Sequence, residues 1–462
     1  MSLNKFNLLV RHHVTQGARQ VWQYLLLSTR NKKIIKHRLF RNFPFIFRWF
    51  KSYPDWLIQN PPINHSLLNF QHFGCSNPEE ICKTLLKDPS RRILVVSHDA
   101  QAYGGQFLAL GMVRALKQDL NFDVKVVLLG GGRLKSDFAA LAPVYELNEF
   151  DSKISDIKYL AMSFVQCGFT KAIVNTTVSG WIVPLFSDAG IENICLVHEL
   201  PGVIRSLGLE KQAKQIASSA KVVVFPAKIV ADGFAKFAHI DSAKQVIRPQ
   251  GLYRKNKWRS EKGYARAELR KRLGLSLNTK IVLAVGHAGY RKGVDLFVEC
   301  ALEILAQRID VDFVWVGPWD AKMQYDIELK LLNSAYKDSI HFVGYEPDTA
   351  LYHAGSDVYA LTSREDPFPS VVLESFDVGV PVVAFSSTGG AARLVEDVGG
   401  IAVPSQNVAA FSEAICRLLD SPDLSASLGK TAQEYVDSHF AFRAYLLELC
   451  NMLGVNLPTS SE

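Results

Sequence analysis

Several signatures are missing or scarce in this 462-residue chain. Cysteine is sparse, with seven residues at 75, 82, 167, 195, 300, 416 and 450, an odd number without a C-x-x-C pair. That argues against a disulfide framework or a cysteine-based zinc site and fits reduced, largely buried thiols in a cytoplasmic protein. No run of about 18 apolar residues occurs, so no transmembrane helix is expected. The first residues lack the apolar core and small-residue cleavage site of a secretory signal. G-x-G-x-x-G is missing, which disfavours a nicotinamide dinucleotide site, and so is the G-x-x-x-x-G-K-[ST] P-loop. Clustered metal ligands and RNA-binding motifs are lacking too.

Charge is present but uneven. The net charge is +7 overall, yet residues 1–60 hold eleven Lys/Arg against the single acid Asp55, a local balance of +10 that leaves −3 for the remainder. Val14, Ala18, Val21, Trp22 and Leu25 fall at helical spacing, and "FRNFPFIFRWFKSY" (40–53) mixes aromatics with Arg and Lys. Such a segment suits an anionic membrane surface, or it packs on the body as a helical extension with its charges in water. Nothing in it reads a base, so a nucleic-acid partner is not expected.

From residue 91 the text becomes regular. Short apolar, β-branched runs such as "ILVVSH", "VKVVLLG", "KAIVNT", "KIVLAVGH", "DFVWVG" and "DVYALTS" alternate with helix-length segments at 104–118, 153–166, 293–308 and 320–336. Runs without polar alternation read as parallel strands buried on both faces. Their number exceeds one comfortable sheet, and the polar stretch 253–264 divides them. This gives α/β domains at 91–252 and 253–440, a basic, mainly helical extension at 1–90, and a helix and tail at 441–462 that cross back. Ligands in such sheets sit beyond the carboxyl ends of the strands, so the loops there are the place to look.

Four loops carry candidate chemistry. In "TSREDPFPSVVLESF" (362–376), Pro367 and Pro369 delay a helix that Ser370 can cap, with Asp366 before it and Glu374 one turn inside. Carboxylates there can each accept from vicinal hydroxyls, or they merely favour the helix dipole. In "GHAGYRKGVDLF" (286–297), a loop from Gly286 delivers Arg291 and Lys292 to a helix start, which fits a diphosphate or a solvated basic turn. Gly104 and Gly105 permit close backbone approach, or form a plain turn. His198, in "CLVHELPG", can donate to a substrate hydroxyl or carbonyl, or pack in its loop.

Together these stretches resemble the retaining glycosyltransferases of family four, whose GT-B fold has two facing Rossmann-like, doubly wound parallel-sheet domains. The resemblance rests on "TSREDPFPSVVLESFDVGVPVVAF", "VGHAGYRKGVDLF", "FVWVG", "IHFVGY" and "SHDA…GG", and covers roughly residues 91–450, with the C-terminal half the surer part. The family's signature is two acids separated by seven residues, the spacing of Asp366 and Glu374. The resemblance implies that Glu374 binds ribose hydroxyls and Asp366 contacts the donor sugar. It also implies that Arg291 and Lys292 hold the diphosphate of a nucleotide-sugar. The amides at Phe368, beside Pro369 and at Ser370 would lie near the sugar and phosphate, with Gly286 also binding the donor and Val343 and Gly344 near the base. Gly104 and Gly105 would lie near the phosphate and acceptor, and His198 would face the reacting sugar. His287, Arg393 and Ala227 depart from the residues common in the family. A glycan or lipid-linked acceptor, no cofactor and no metal are expected, with the chain at the inner face of the cytoplasmic membrane. A nucleotide-sugar epimerase and a non-catalytic scaffold are the alternatives.

Overall fold

The computed structural model describes residues 91–147 and 153–455. The helical and membrane readings of the basic head, at 1–90, lie outside the described residues.

Two parallel sheets organise the described chain. The first has strands β1 (Arg92–Ser97), β2 (Asp123–Leu128), β3 (Val144–Glu146), β4 (Lys171–Asn175), β5 (Glu192–Leu196), β6 (Val222–Phe225) and β7 (Gln245–Ile247). The second has β8 (Lys280–Val285), β9 (Val311–Val316), β10 (Ile340–Gly344), β11 (Val358–Leu361), β12 (Val382–Phe385) and β13 (Gly400–Val403). Their orders are β3-β2-β1-β4-β5-β6-β7 and β10-β9-β8-β11-β12-β13.

The unbroken apolar runs have a direct structural cause. Side chains alternate between faces along a strand, and here both faces are covered. In β1, Ile93 and Val95 enter one core while Leu94 and Val96 enter the other. In β8, Ile281 and Leu283 oppose Val282 and Ala284 in the same way. The strands β3 and β13, both short and at sheet edges, escape the sequence reading.

The chain passes twice between the domains, and the two crossings touch. Leu252 N–H donates to Phe440 O at 2.9 Å, and Leu252 bridges Ala441. Helix Phe442–Met452 then places Tyr445, Leu446, Leu449 and Cys450 in the core of the first sheet. The basic stretch after Leu252 is not a free linker. Arg254 and Lys257 pair with Asp348, each at 2.7 Å, and Arg259 reaches buried Asp377 at 2.9 Å. These contacts fasten the segment to the second domain.

The topology fixes where a ligand would sit. Each sheet reverses its winding direction at one point, between β1 and β4 in the first and between β8 and β11 in the second. Loops leave such a point in opposite directions and open a crevice.

Candidate functional site

At the second sheet's crevice, the loop after β8 meets the loop after β11. Gly286 has φ 147°, and a Cβ there would meet the stem of Lys292 at 3.3 Å. Gly293, with φ 71°, lies so close to Thr362 O that a Cβ would stand 2.1 Å from it. Glycine at both positions lets the turn Tyr290–Lys292 press against the strand ends, just before helix Val294–Leu305. The turn is held by Thr362 Oγ1 donating to Lys292 O at 3.1 Å and by Arg364 N–H donating to Arg291 O at 2.8 Å. Arg364 itself grips Asp295 with two bonds of 2.7 and 2.6 Å and stacks over the Tyr290 ring.

The two basic residues have different partners. Lys292 Nζ pairs with Asp366 Oδ2, an oxygen that also accepts from Ser363 Oγ at 3.1 Å. Arg291 donates to Glu365 O at 2.8 Å and stays exposed. A cation and a fork of N–H donors on the turn thus meet a carboxylate on the loop after β11, an arrangement able to exchange internal partners for phosphate and hydroxyl groups.

Glu374 lies one turn into helix Ser370–Asp377. Tyr253, from the interdomain crossing, donates to its Oε1 at 3.2 Å, and buried His353 stands 3.2 Å from its Oε2. Burial pulls the Glu374 carboxyl up, but His353, Tyr253 and the charge of Arg254 outweigh it and hold the group below its ordinary value. An ionised acid accepts only, which suits a diol.

The helix start differs from expectation. Pro369 is the capping residue, and no side chain, including that of Ser370, caps the first turn. The Phe368 ring is buried beside Phe440, and its carbonyl accepts from Gln250 Nε2 at 2.6 Å, so its side chain anchors the turn in the core while the expected role rests on its backbone N–H. Val343 and Gly344 end β10, where Gly344 has φ 78° and its carbonyl accepts from Gly317 N–H at 2.8 Å.

The first sheet's crevice carries a polar network. Gly104 and Gly105 open helix Gly104–Gln118, whose first turn has no side-chain cap. Asn175 Nδ2 donates to Gly105 O at 2.8 Å, and Asn175 Oδ1 lies 3.1 Å from His198 Nε2. His98 Nδ1 meets Thr176 Oγ1 at 3.0 Å, and its Nε2 faces Gln106 Nε2 at 2.9 Å. Glu199 accepts from Thr177 N–H at 3.0 Å and from the Thr177 hydroxyl at 2.5 Å. Thr176 holds φ 71° and ψ 155°, a backbone state that costs a non-glycine residue about 1–3 kcal/mol and clusters at functional sites.

Contacts across the cleft bring the two crevices together. The Tyr103 and His287 rings meet edge-on with centroids 6.4 Å apart. A Cβ on Gly202 would strike the Glu365 carboxylate at 2.5 Å, and one on Gly390 would strike Ala227 Cβ at 2.3 Å. The candidates after β1, β5, β8 and β11 therefore face one cleft. Tyr253, His353 and Gln106 were not legible as site residues, since their partners lie far away in sequence or on other elements. Among the described residues, no group of three or more His, Cys, Asp or Glu could hold a metal. One Asp-x-Asp pair does occur at the start of β9, but Asp310 bonds Arg308 and Asp312 bonds His341. Arg393, an earlier departure, is exposed and pairs with Asp397.

Two facing, doubly wound parallel sheets with a cleft between them make this a GT-B protein. Residues 265–435, within the C-terminal domain, match the family model for glycosyl transferases group 1. The chain is similar to an alpha-D-kanosaminyltransferase of Streptomyces kanamyceticus, 32% identical over 171 residues, 36% of this chain and 43% of that protein. It is also similar to a GDP-mannose-dependent phosphatidylinositol monomannoside mannosyltransferase of Corynebacterium glutamicum, 27% identical over 194 residues, 40% and 49% of the two chains. The chain thus spans less than half of these curated relatives. Among solved structures, Anabaena HepE with UDP and glucose superposes with a TM-score of 0.67 at 17% identity, covering 78% of this chain and 99% of that one. WaaG, a glycosyltransferase involved in lipopolysaccharide biosynthesis, gives 0.62 at 14% identity, with 78% and 99% covered.

Proposed function

We propose that this protein is a retaining, metal-independent glycosyltransferase that moves a hexosyl or deoxyhexosyl group from a nucleoside diphosphate-sugar to a glycan or lipid-linked acceptor, in surface polysaccharide or glycoconjugate assembly. The observation that carries the reading is the convergence of Arg291, Lys292 and Asp366 at the second sheet's crevice, with Glu374 one turn beyond. Glu374 takes the ribose hydroxyls, the basic pair takes the diphosphate, and Asp366 takes sugar hydroxyls once Lys292 turns to phosphate.

As the bond to the anomeric carbon breaks, negative charge grows on the leaving phosphate. Arg291 and Lys292 meet that charge, each contributing about 3–4 kcal/mol to the transition state. The leaving phosphate, on the same face, accepts the acceptor's proton, so configuration is kept. Cleft closure excludes water and suppresses hydrolysis. Lysine and arginine supply the counter-charge that a divalent cation gives elsewhere. The setting is the inner face of the cytoplasmic membrane, approached through the basic residues 1–60. No helix among the described residues is long and apolar enough to cross a membrane.

The test is slow donor hydrolysis followed by proton NMR, with and without EDTA. The expected first product is the sugar with the donor's own anomeric configuration, at an unchanged rate in EDTA. An inverted product, or loss of turnover in EDTA, contradicts the mechanism.

A further inference from the structure

Asn175 links two groups that the proposed function uses separately, the Gly104–Gly105 helix start and His198. Its amide can be oriented without ambiguity. Gly105 O is a carbonyl and only accepts, so the atom facing it at 2.8 Å must be the NH2 group of Asn175. The other end of the amide, Oδ1, is then an acceptor, and it stands 3.1 Å from His198 Nε2. An acceptor there requires a hydrogen on Nε2. In the neutral ring, this leaves Nδ1 as a lone pair.

We propose that Asn175 is a positioning residue that holds His198 as its Nε2–H tautomer, so that Nδ1 accepts a hydrogen bond from a sugar hydroxyl. This reverses the donor role that the sequence suggests for His198. It rests on the nucleotide-sugar reading for the identity of the hydroxyl, but not for the tautomer. The polarity selects its ligand, because a hydroxyl can donate to Nδ1 whereas a carbonyl or phosphate oxygen cannot.

The surroundings favour the neutral ring. Burial lowers the His198 value, Glu199 opposes it, and His98 lowers it further. Asp99 lies 3.7 Å behind His98, and the Glu365 carboxylate of the other domain lies against Gly202, four residues along the chain. Asn175 is fully buried and has its side chain committed at both ends, so it works as a fixed bracket rather than a mobile contact.

The experiment uses the full chain with 15N-labelled histidine and two-bond proton–nitrogen correlation, without ligand. His198→Gln assigns the signal by its loss. The expected wild-type pattern is a single Nε2–H tautomer at neutral pH, and Asn175→Ala should turn it into a mixture. An Nδ1–H tautomer in the wild type, or an unchanged pattern in Asn175→Ala, overturns the proposal. Asn175→Asp puts a carboxylate beside Nε2 and should raise the His198 pKa by about one unit or more. The acid limb of donor hydrolysis should move to higher pH by the same amount. A merely structural role would lower the rate at every pH without moving the limb. If the variants fail to fold, the wild-type tautomer alone decides. If the wild type turns over no donor, the donor reading fails while the tautomer is still read.

Discussion

Lys292→Ala should damage the protein in two separable ways, and Arg291→Ala in only one. The Lys292 side chain is 16% exposed and its partner Asp366 5%, so removing the ammonium strands a buried carboxylate. Breaking one side of a buried pair costs about 3–5 kcal/mol. The retained bond from Ser363, and the partial exposure of the lysine, place this case near the lower end, at about 3 kcal/mol. For a domain of this size, each kcal/mol moves the melting temperature by about 2–4 °C, so a loss of about 6–12 °C is expected. Arg291 lies exposed on a carbonyl, and its removal should change stability by about 0.5 kcal/mol or less. Both variants should lose donor turnover by about a hundredfold or more, because both cations face the leaving phosphate. Adding Asp366→Asn to Lys292→Ala removes the stranded charge and should restore much of the melting temperature without restoring turnover. Scanning calorimetry and a donor-hydrolysis assay on the same preparations read both effects. If Lys292→Ala melts with Arg291→Ala, the pair is not structural and the reasoning fails.

Other consequences are smaller. Tyr253→Phe removes a hydrogen bond to an ionised acid that is made without ligand, so thermal melts should show a loss of about 1.5 kcal/mol, and donor affinity by calorimetry should fall as Glu374 loses its orientation. Because Glu374 is held below its ordinary value of 4.5, its stabilising contribution is present above that pH and lost as pH falls through the folded value. Denaturation midpoints below pH 4.5 should therefore fall more steeply for wild type than for Glu374→Gln. Leu446→Ala, in the helix that returns to the first domain, should cost about 2–5 kcal/mol in thermal melts, although it is far from the acids in sequence.

What the sequence showed and what it hid follow from the range of each interaction. Central strands such as β1 and β9 are legible because they are buried on both faces and leave long apolar runs. The acid spacing is equally local, since Asp366 and Glu374 share a turn and a helix start. The grip on Glu374 is not local: Tyr253 comes from the domain crossing and His353 from a helix before β11. His353 reads in sequence as one polar residue in "ALYHAG", with nothing to indicate its partner. The Ser370 cap failed for a physical reason, since Pro369 already sets the helix entry and its ring offers no acceptor. The polarity of His198 was also hidden, because it depends on which end of Asn175 faces Gly105.

The most direct test of the central claim is a thermal-shift panel of UDP-, GDP-, dTDP- and CMP-sugars on the wild type and Glu374→Ala. The account predicts that one nucleotide class stabilises the wild type and leaves the variant unmoved. Equal shifts in both proteins, or no shift from any nucleotide-sugar, would contradict a donor site built on Glu374.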